Sequence, residues 1–157
     1  MRIGFGFDVH QLAPGRALCL GGIQVPSEKG SVGHSDADVL LHAISDAILG
    51  ALALGDIGVH FPDTDQSLKG IDSKLILEKV IRLATDKNMG LSNLDATLVL
   101  ERPKIMPYVE KMREVIAKIC GVSITDVSIK ATTNEKMGFI GREEGVAAYA
   151  VVLLKPL

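Results

Sequence analysis

The sequence predicts a single α/β domain, layered as α+β, in which a mixed sheet packs on about three helices. Segments patterned as strands alternate with segments patterned as helices. The 157 residues are 47% hydrophobic with no compositional break, which suits one sizeable core rather than two small ones. No repeat, low-complexity segment or linker divides residues 1–157.

Residues 2–10 read as a strand, and 17–25 as a second extended segment broken at Gly21-Gly22. A helix starts at Ser35, whose hydroxyl is placed to cap while Asp38 sits three residues on, as in a capping box. It runs through Val39, Leu40, Leu41 and Ile44 to about Leu54, where Gly55 ends it. Residues 55–71 form a long loop of Gly, Pro, Asp and Thr, and structureless loops of that size are more often functional than not. A second helix covers about 73–89, with Leu77, Val80, Ile81 and Ala84 on one face and Gly90 as its stop. Strand 94–100 follows. Pro107 at a first helical position opens a third helix, where Val109, Met112, Ile116 and Ile119 recur at helical spacing before Gly121. That stripe reads as core, not as a binding face. Strands near 127–132 and 146–154, separated by a glycine-containing loop at 134–145, complete the domain.

Composition removes several function classes. A net charge of −2, with no cluster of Lys and Arg among aromatics, leaves no field to recruit nucleic acid or a membrane surface. The longest apolar stretch, Ala47 to Leu54, falls far short of the roughly 20 residues of a membrane helix. No targeting segment opens the chain, so the expected location is cytoplasmic. Cys19 and Cys120 have no metal-type or redox-type spacing and read as reduced, buried thiols.

Four groups carry chemistry. On the first strand, alternation turns Asp8 and His10 to one face, and His42 lies on the following helix. Two imidazoles and a carboxylate are what a catalytic zinc site uses, with a fourth position open; an ordinary hydrogen-bonded histidine pair is the alternative. Asp38, His42 and Asp46 share a helical stripe, so Asp46 either orients His42 or belongs with Asp38 to a solvated face. His34 and Ser35 sit at that helix's N-terminus, where free N–H groups attract anions, although Ser35 alone is only a cap. The loop Asp56-Ile57-Gly58 through Phe61-Pro62-Asp63-Thr64-Asp65 suits a polyol or is simply a well-formed turn. Finally, Thr132, Thr133 and Asn134 at a strand exit suit phosphate oxygens, Glu135 suits a hard cation such as magnesium, and Arg142 adds a charge-assisted contact; a solvated polar exit is the alternative. The glycines of Gly4-Phe5-Gly6 lie inside a strand and make no dinucleotide fingerprint.

Taken together and in this order, these segments resemble the 2-C-methyl-D-erythritol 2,4-cyclodiphosphate synthase family across nearly the whole chain. The resemblance rests on Gly6-Phe7-Asp8-Val9-His10, His34-Ser35-Asp36-Ala37-Asp38, Leu41-His42-Ala43, Gly55-Asp56-Ile57-Gly58 and Phe61-Pro62-Asp63-Thr64-Asp65. Pro103-Lys104, Lys130-Ala131-Thr132-Thr133, Glu135-Lys136 and Gly138-Phe139 through Gly141-Arg142 complete it. It implies zinc on Asp8, His10 and His42, and the methylerythritol part on Asp56 to Gly58 and Phe61 to Asp65. It places the cytosine against Leu100, Glu101, Arg102, Pro103, Lys104, Ile105 and Met106. The phosphates fall to Thr132 through Glu135, with magnesium or manganese near Glu135.

The implied assembly is a homotrimer with active sites between subunits, and an isoprenoid diphosphate on its axis near Phe139, Arg142 and Glu144. Leu100, Asn134 and Phe5 depart from the residues common in the family. The implied reaction is attack of the substrate's own 2-phosphate on its β-phosphorus with loss of cytidine monophosphate, His34 and Thr133 being the donors to the transition state. Two rival readings are a metal-dependent phosphohydrolase with Asp56 or Asp63 as base, and a nucleotide-binding regulatory module with a structural metal. The open three-ligand set speaks against the latter.

Overall fold

The computed structural model describes residues 1–62 and 64–157. Among the described residues seven strands run in chain order as β1 (Arg2–Pro14), β2 (Leu18–Leu20), β3 (Ile23–Val25), β4 (Lys29–Val32), β5 (Met89–Val99), β6 (Val127–Thr132) and β7 (Gly145–Pro156). The helices described between them are α1 (Val39–Ala51), α2 (Ile57–His60), α3 (Ser73–Asp86), α4 (Val109–Cys120) and α5 (Gly138–Gly141). The main sheet has the order β4-β1-β7-β5-β6, and β2 with β3 forms a separate hairpin. Its pairings are antiparallel except β5 with β6. A parallel pair needs a crossover, and α4 supplies it.

Three long helices, α1, α3 and α4, cover one face of the sheet, as the patterning predicts. Leu77, Val80, Ala84, Met112 and Ile116 are buried there, so both predicted stripes are core. α1 lies deepest, with all but two of its thirteen residues buried, Asp46 and Gly50 being the exceptions. Gly4 and Gly6 explain how it gets so close. A Cβ at Gly4 would stand 1.8 Å from the Ala47 carbonyl oxygen, and one at Gly6 would stand 1.9 Å from that of Ala43. The glycines let helix backbone rest on strand backbone, and this brings His42 down onto the face that holds Asp8 and His10.

Several boundaries differ from the sequence reading. α1 starts at Val39 and its N-cap is Asp38, not Ser35, because the Asp38 carboxylate accepts from Leu40 and Leu41 and also from Gly21 and Gly22 of the β2–β3 turn. It ends at Ala51 rather than Leu54. α3 stops at Asp86, before Asn88 turns the chain at a φ of 55°; Gly90 is no stop but part of β5. β5 starts at Met89 rather than 94, and a register shift between Leu91 and Asn93 hides its early part from period-two patterning. The segment 55–71 contains α2 and a 3₁₀ turn at Gln66–Leu68, each capped by an aspartate, and 134–145 contains α5. β4 is a four-residue edge strand with no alternation to reveal it. Gly121, at a φ of 67°, closes α4 as expected.

The opposite face of the sheet is apolar where β1 and β7 meet. Ile3, Phe5, Phe7 and Val9 line up with Tyr149 and Val151, and all are between 41% and 73% exposed. Among the described residues no helix is long and apolar enough to cross a membrane.

Candidate active site

Asp8 and His10 leave β1 on the α1 side, and His42 meets them from α1. Asp8 Oδ2 lies 3.0 Å from His10 Nε2 and 3.0 Å from His42 Nδ1. The two ring nitrogens are 3.1 Å apart. Ligand atoms about 2.0–2.1 Å from a tetrahedral zinc lie roughly 3.3 Å from one another, so this triangle matches one face of that polyhedron. These three residues form a cluster fit to hold a metal. No fourth protein ligand joins them among the described residues, which leaves an open position of the catalytic kind. Burial alone would raise the Asp8 carboxyl, but hydrogen bonds and charge from His10 and His42 win and lower it to about 2. Burial works against charging His42, yet its bond to Asp8 and the nearby carboxylates raise it above its usual value. A cation is what this arrangement attracts.

The cluster opens into a cavity of about 460 Å³ whose walls include His34, Ser35, Ile57, Gly58, Phe61, Pro62 and Thr64. Three of the four predicted groups thus meet in one place. Asp56 and Asp65 point elsewhere: Asp56 accepts the Val59 N–H to cap α2, and Asp65 accepts from Ser67. Asp63 lies outside the described residues.

Two readings of the α1 region are corrected. Asp46 does not orient His42 but accepts the Ile57 N–H at 2.8 Å, tying α2 to α1, and Asp38 is a fully buried cap rather than part of a solvated face. Burial raises the Asp46 carboxyl, the Ile57 bond opposes this, and the charges of Asp56 and Asp8 add to it. The N–H groups of Leu40 and Leu41 are taken by Asp38, so these two are not free for an anion beside His34 and Ser35. What holds His42 is Ser73, whose Oγ is 2.9 Å from His42 Nε2, with Ser35 Oγ at 3.2 Å. Ser73 does not stand out in the sequence, where Asp72-Ser73 reads only as the start of α3, and Asp36 enters only within the matched segment His34 to Asp38, with no role attached.

The residues expected on the nucleotide side form a second place. Arg102, Pro103 and Lys104 line another cavity, of about 500 Å³, together with Glu101, Lys29 and Glu143. The side chains of Leu100 and Ile105 are in the core, so only their backbone is free to meet a base, whereas Met106 is exposed. Glu101 turns inward: its Oε1 accepts from Asn134 N at 2.8 Å and from Lys136 N at 3.2 Å. It thereby holds the Thr132–Glu135 loop, which Glu135 and Lys136 fold back at φ of 51° and 62°. Thr132, Thr133 and Glu135 are exposed, and Thr133 Oγ1 donates to Glu135 at 3.3 Å. Phe139 is exposed, and Arg142 pairs with Glu144 through two bonds of 3.0 and 3.1 Å. The cluster fit for a metal and the residues expected at the cytosine therefore line separate cavities of one chain.

The YgbB family model matches residues 1–155. The 2-C-methyl-D-erythritol 2,4-cyclodiphosphate synthase of Geobacter sulfurreducens is 61% identical over 155 residues, covering 99% of each chain. The chain belongs to this synthase family. The corresponding synthase of Chloroherpeton thalassium is 58% identical over the full length of both chains. A cyclodiphosphate synthase solved in its CDP-bound form superposes with a TM-score of 0.91 at 36% identity, over 98% of this chain and all of that one.

Proposed function

We propose that this chain converts 4-diphosphocytidyl-2-C-methyl-D-erythritol 2-phosphate to 2-C-methyl-D-erythritol 2,4-cyclodiphosphate and cytidine monophosphate, as a phosphorus–oxygen lyase of cytoplasmic isoprenoid precursor synthesis. The observation that carries the reading is the Asp8–His10–His42 triangle opening into a cavity walled by His34, Ser35 and the α2 loop. Zinc on that triangle and magnesium or manganese near Glu135 supply Lewis acidity and neutralise charge on the diphosphate. The backbone and walls of 56–65 orient the methylerythritol part, and Thr132 to Glu135 hold the phosphates in the shape that Glu101 enforces. The cytosine lies on the backbone of Leu100 to Met106. His34 and Thr133 donate to the oxygens that gain charge in the transition state. No protein nucleophile is required, because the substrate carries its own.

The assembly in this reading is a homotrimer. The uncovered apolar face of β1 and β7 supports it, since a contiguous apolar patch of this kind on a sheet marks a contact between chains. The separation of the two cavities supports sites shared between neighbours, with the zinc side from one subunit and the nucleotide side from another. Phe139, Arg142 and Glu144 would then face an isoprenoid diphosphate on the axis.

Turnover in ¹⁸O-labelled water tests the reaction. A tethered 2-phosphate has an effective molarity of about 10⁵ M or more over an untethered nucleophile, so cytidine monophosphate and the cyclic product should both be free of label. Label in an open 2,4-bisphosphate in the first turnovers would make water the acceptor and the chain a phosphohydrolase.

A further inference from the structure

We propose that Ser73, directed by Asp36, is a positioning residue that fixes the tautomer of His42 and so turns the lone pair of Nδ1 toward the metal position. The inference rests on the metal reading of Asp8, His10 and His42, and follows from counting protons. Asp36 Oδ1 is 2.5 Å from Ser73 Oγ, and Asp36 Oδ2 accepts the Ser73 backbone N–H at 3.1 Å. A carboxylate only accepts, so the Ser73 hydroxyl proton is committed to Asp36. Ser73 Oγ then has only lone pairs to offer His42 Nε2, 2.9 Å away. For that contact to be a hydrogen bond, Nε2 carries the proton. Ser35 Oγ, 3.2 Å from the same nitrogen and accepting from Ala37 N, has a further lone pair to share that proton. As a metal ligand the imidazole is neutral and holds one proton, and with that proton on Nε2 the Nδ1 lone pair faces the metal position between Asp8 and His10; without metal the same nitrogen is protonated and donates to Asp8.

The relay is built into the fold. Asp36 N donates to the Ile71 carbonyl at 3.1 Å and Gly70 N to that of His34 at 2.7 Å, which ties the segment 34–36 to the start of α3. Ser73 itself is fully buried. The hydroxyl thus has one orientation available, and Asp36 selects it.

The test measures zinc affinity by chelator competition, and the imidazole Nε2–H resonance of His42 in the zinc-loaded protein, for wild type, Ser73→Ala and the near-isosteric Asp36→Asn. Groups outside the ligand shell are worth 10- to 100-fold in affinity as an order of magnitude. Ser73→Ala should lose about that factor, and Asp36→Asn should lose roughly 10-fold. The resonance, sheltered from exchange in wild type, should broaden or vanish in both variants. Wild-type affinity with an unchanged resonance in both would overturn the relay while leaving the metal site standing. Lower affinity with an unchanged resonance would assign the effect to packing and overturn it too. Wild type that takes up no zinc would overturn the metal reading, and the relay with it.

Discussion

At the scale of single residues, the triangle of Asp8, His10 and His42 makes the sharpest demand. Purified protein should carry about one zinc per chain, as three ligands and an open position imply. Metal analysis of His10→Ala and His42→Ala should find that zinc largely gone, and wild-type content in both variants would sink the assignment. Without metal, Asp8 and His42 form a pH-sensitive pair. Asp8 is lowered from 3.8 to about 2, so its contribution exists above the unfolded value and fades as the pH falls toward 2. His42 is raised from 6.5, so its contribution is complete below that value and fades as the pH rises past it. The melting-temperature gap between metal-free wild type and Asp8→Asn should therefore be widest near about pH 5 and smaller at about pH 8. Cys120 marks the opposite extreme: burial pushes its thiol up to about 12, and a thiol-specific reagent at neutral pH should leave it unlabelled until the chain unfolds.

At the scale of elements, the contact between α1 and β1 decides whether a site exists. Gly6→Ala places a methyl inside the Ala43 carbonyl, and only a shift of the helix relieves it. Overpacking of this kind costs about 1–3 kcal/mol or more, and here it also lifts His42 away from Asp8 and His10. Chemical denaturation should register the loss of stability, and zinc titration a parallel loss of affinity. An unchanged zinc affinity in Gly6→Ala would show that the close approach does not set the site. Sequence reading saw these glycines only as an absent dinucleotide motif, because alternation reports which face a residue takes and not what lies against it. The cap of α1 was obscured for a similar reason. Ser35 and Asp38 are both good capping residues, and the choice between them falls to the β2–β3 turn, whose Gly21 and Gly22 donate to Asp38 from far along the chain.

At the scale of the whole molecule, the uncovered face of the sheet and the two separate cavities make one combined prediction. Subunits carrying Lys104→Ala and subunits carrying Asp8→Ala should each be inactive alone. Mixed assemblies should recover activity, since some neighbouring pairs contribute an intact zinc side and an intact nucleotide side. Mass measurement of the separate and mixed proteins confirms that mixing occurred; properly mixed trimers with no recovered activity would refute shared sites.

The residue types, their order and their local periods determined the layered fold, the three long helices and the membership of Asp8, His10 and His42 in one cluster. Those features depend on near neighbours along the chain, or on a pattern of segments specific enough to be matched as a whole. Tertiary structure alone decided that Asp46 serves α2, that Glu101 serves the backbone of Asn134 and Lys136, and that Ser73 and Asp36 stand behind His42. A hydrogen bond is settled by distance and direction between groups that the chain may separate by thirty residues or more, as Ser73 and Asp36 are. An aspartate, a glutamate or a serine at a helix start looks the same in sequence whether it faces water, a backbone N–H or a metal ligand.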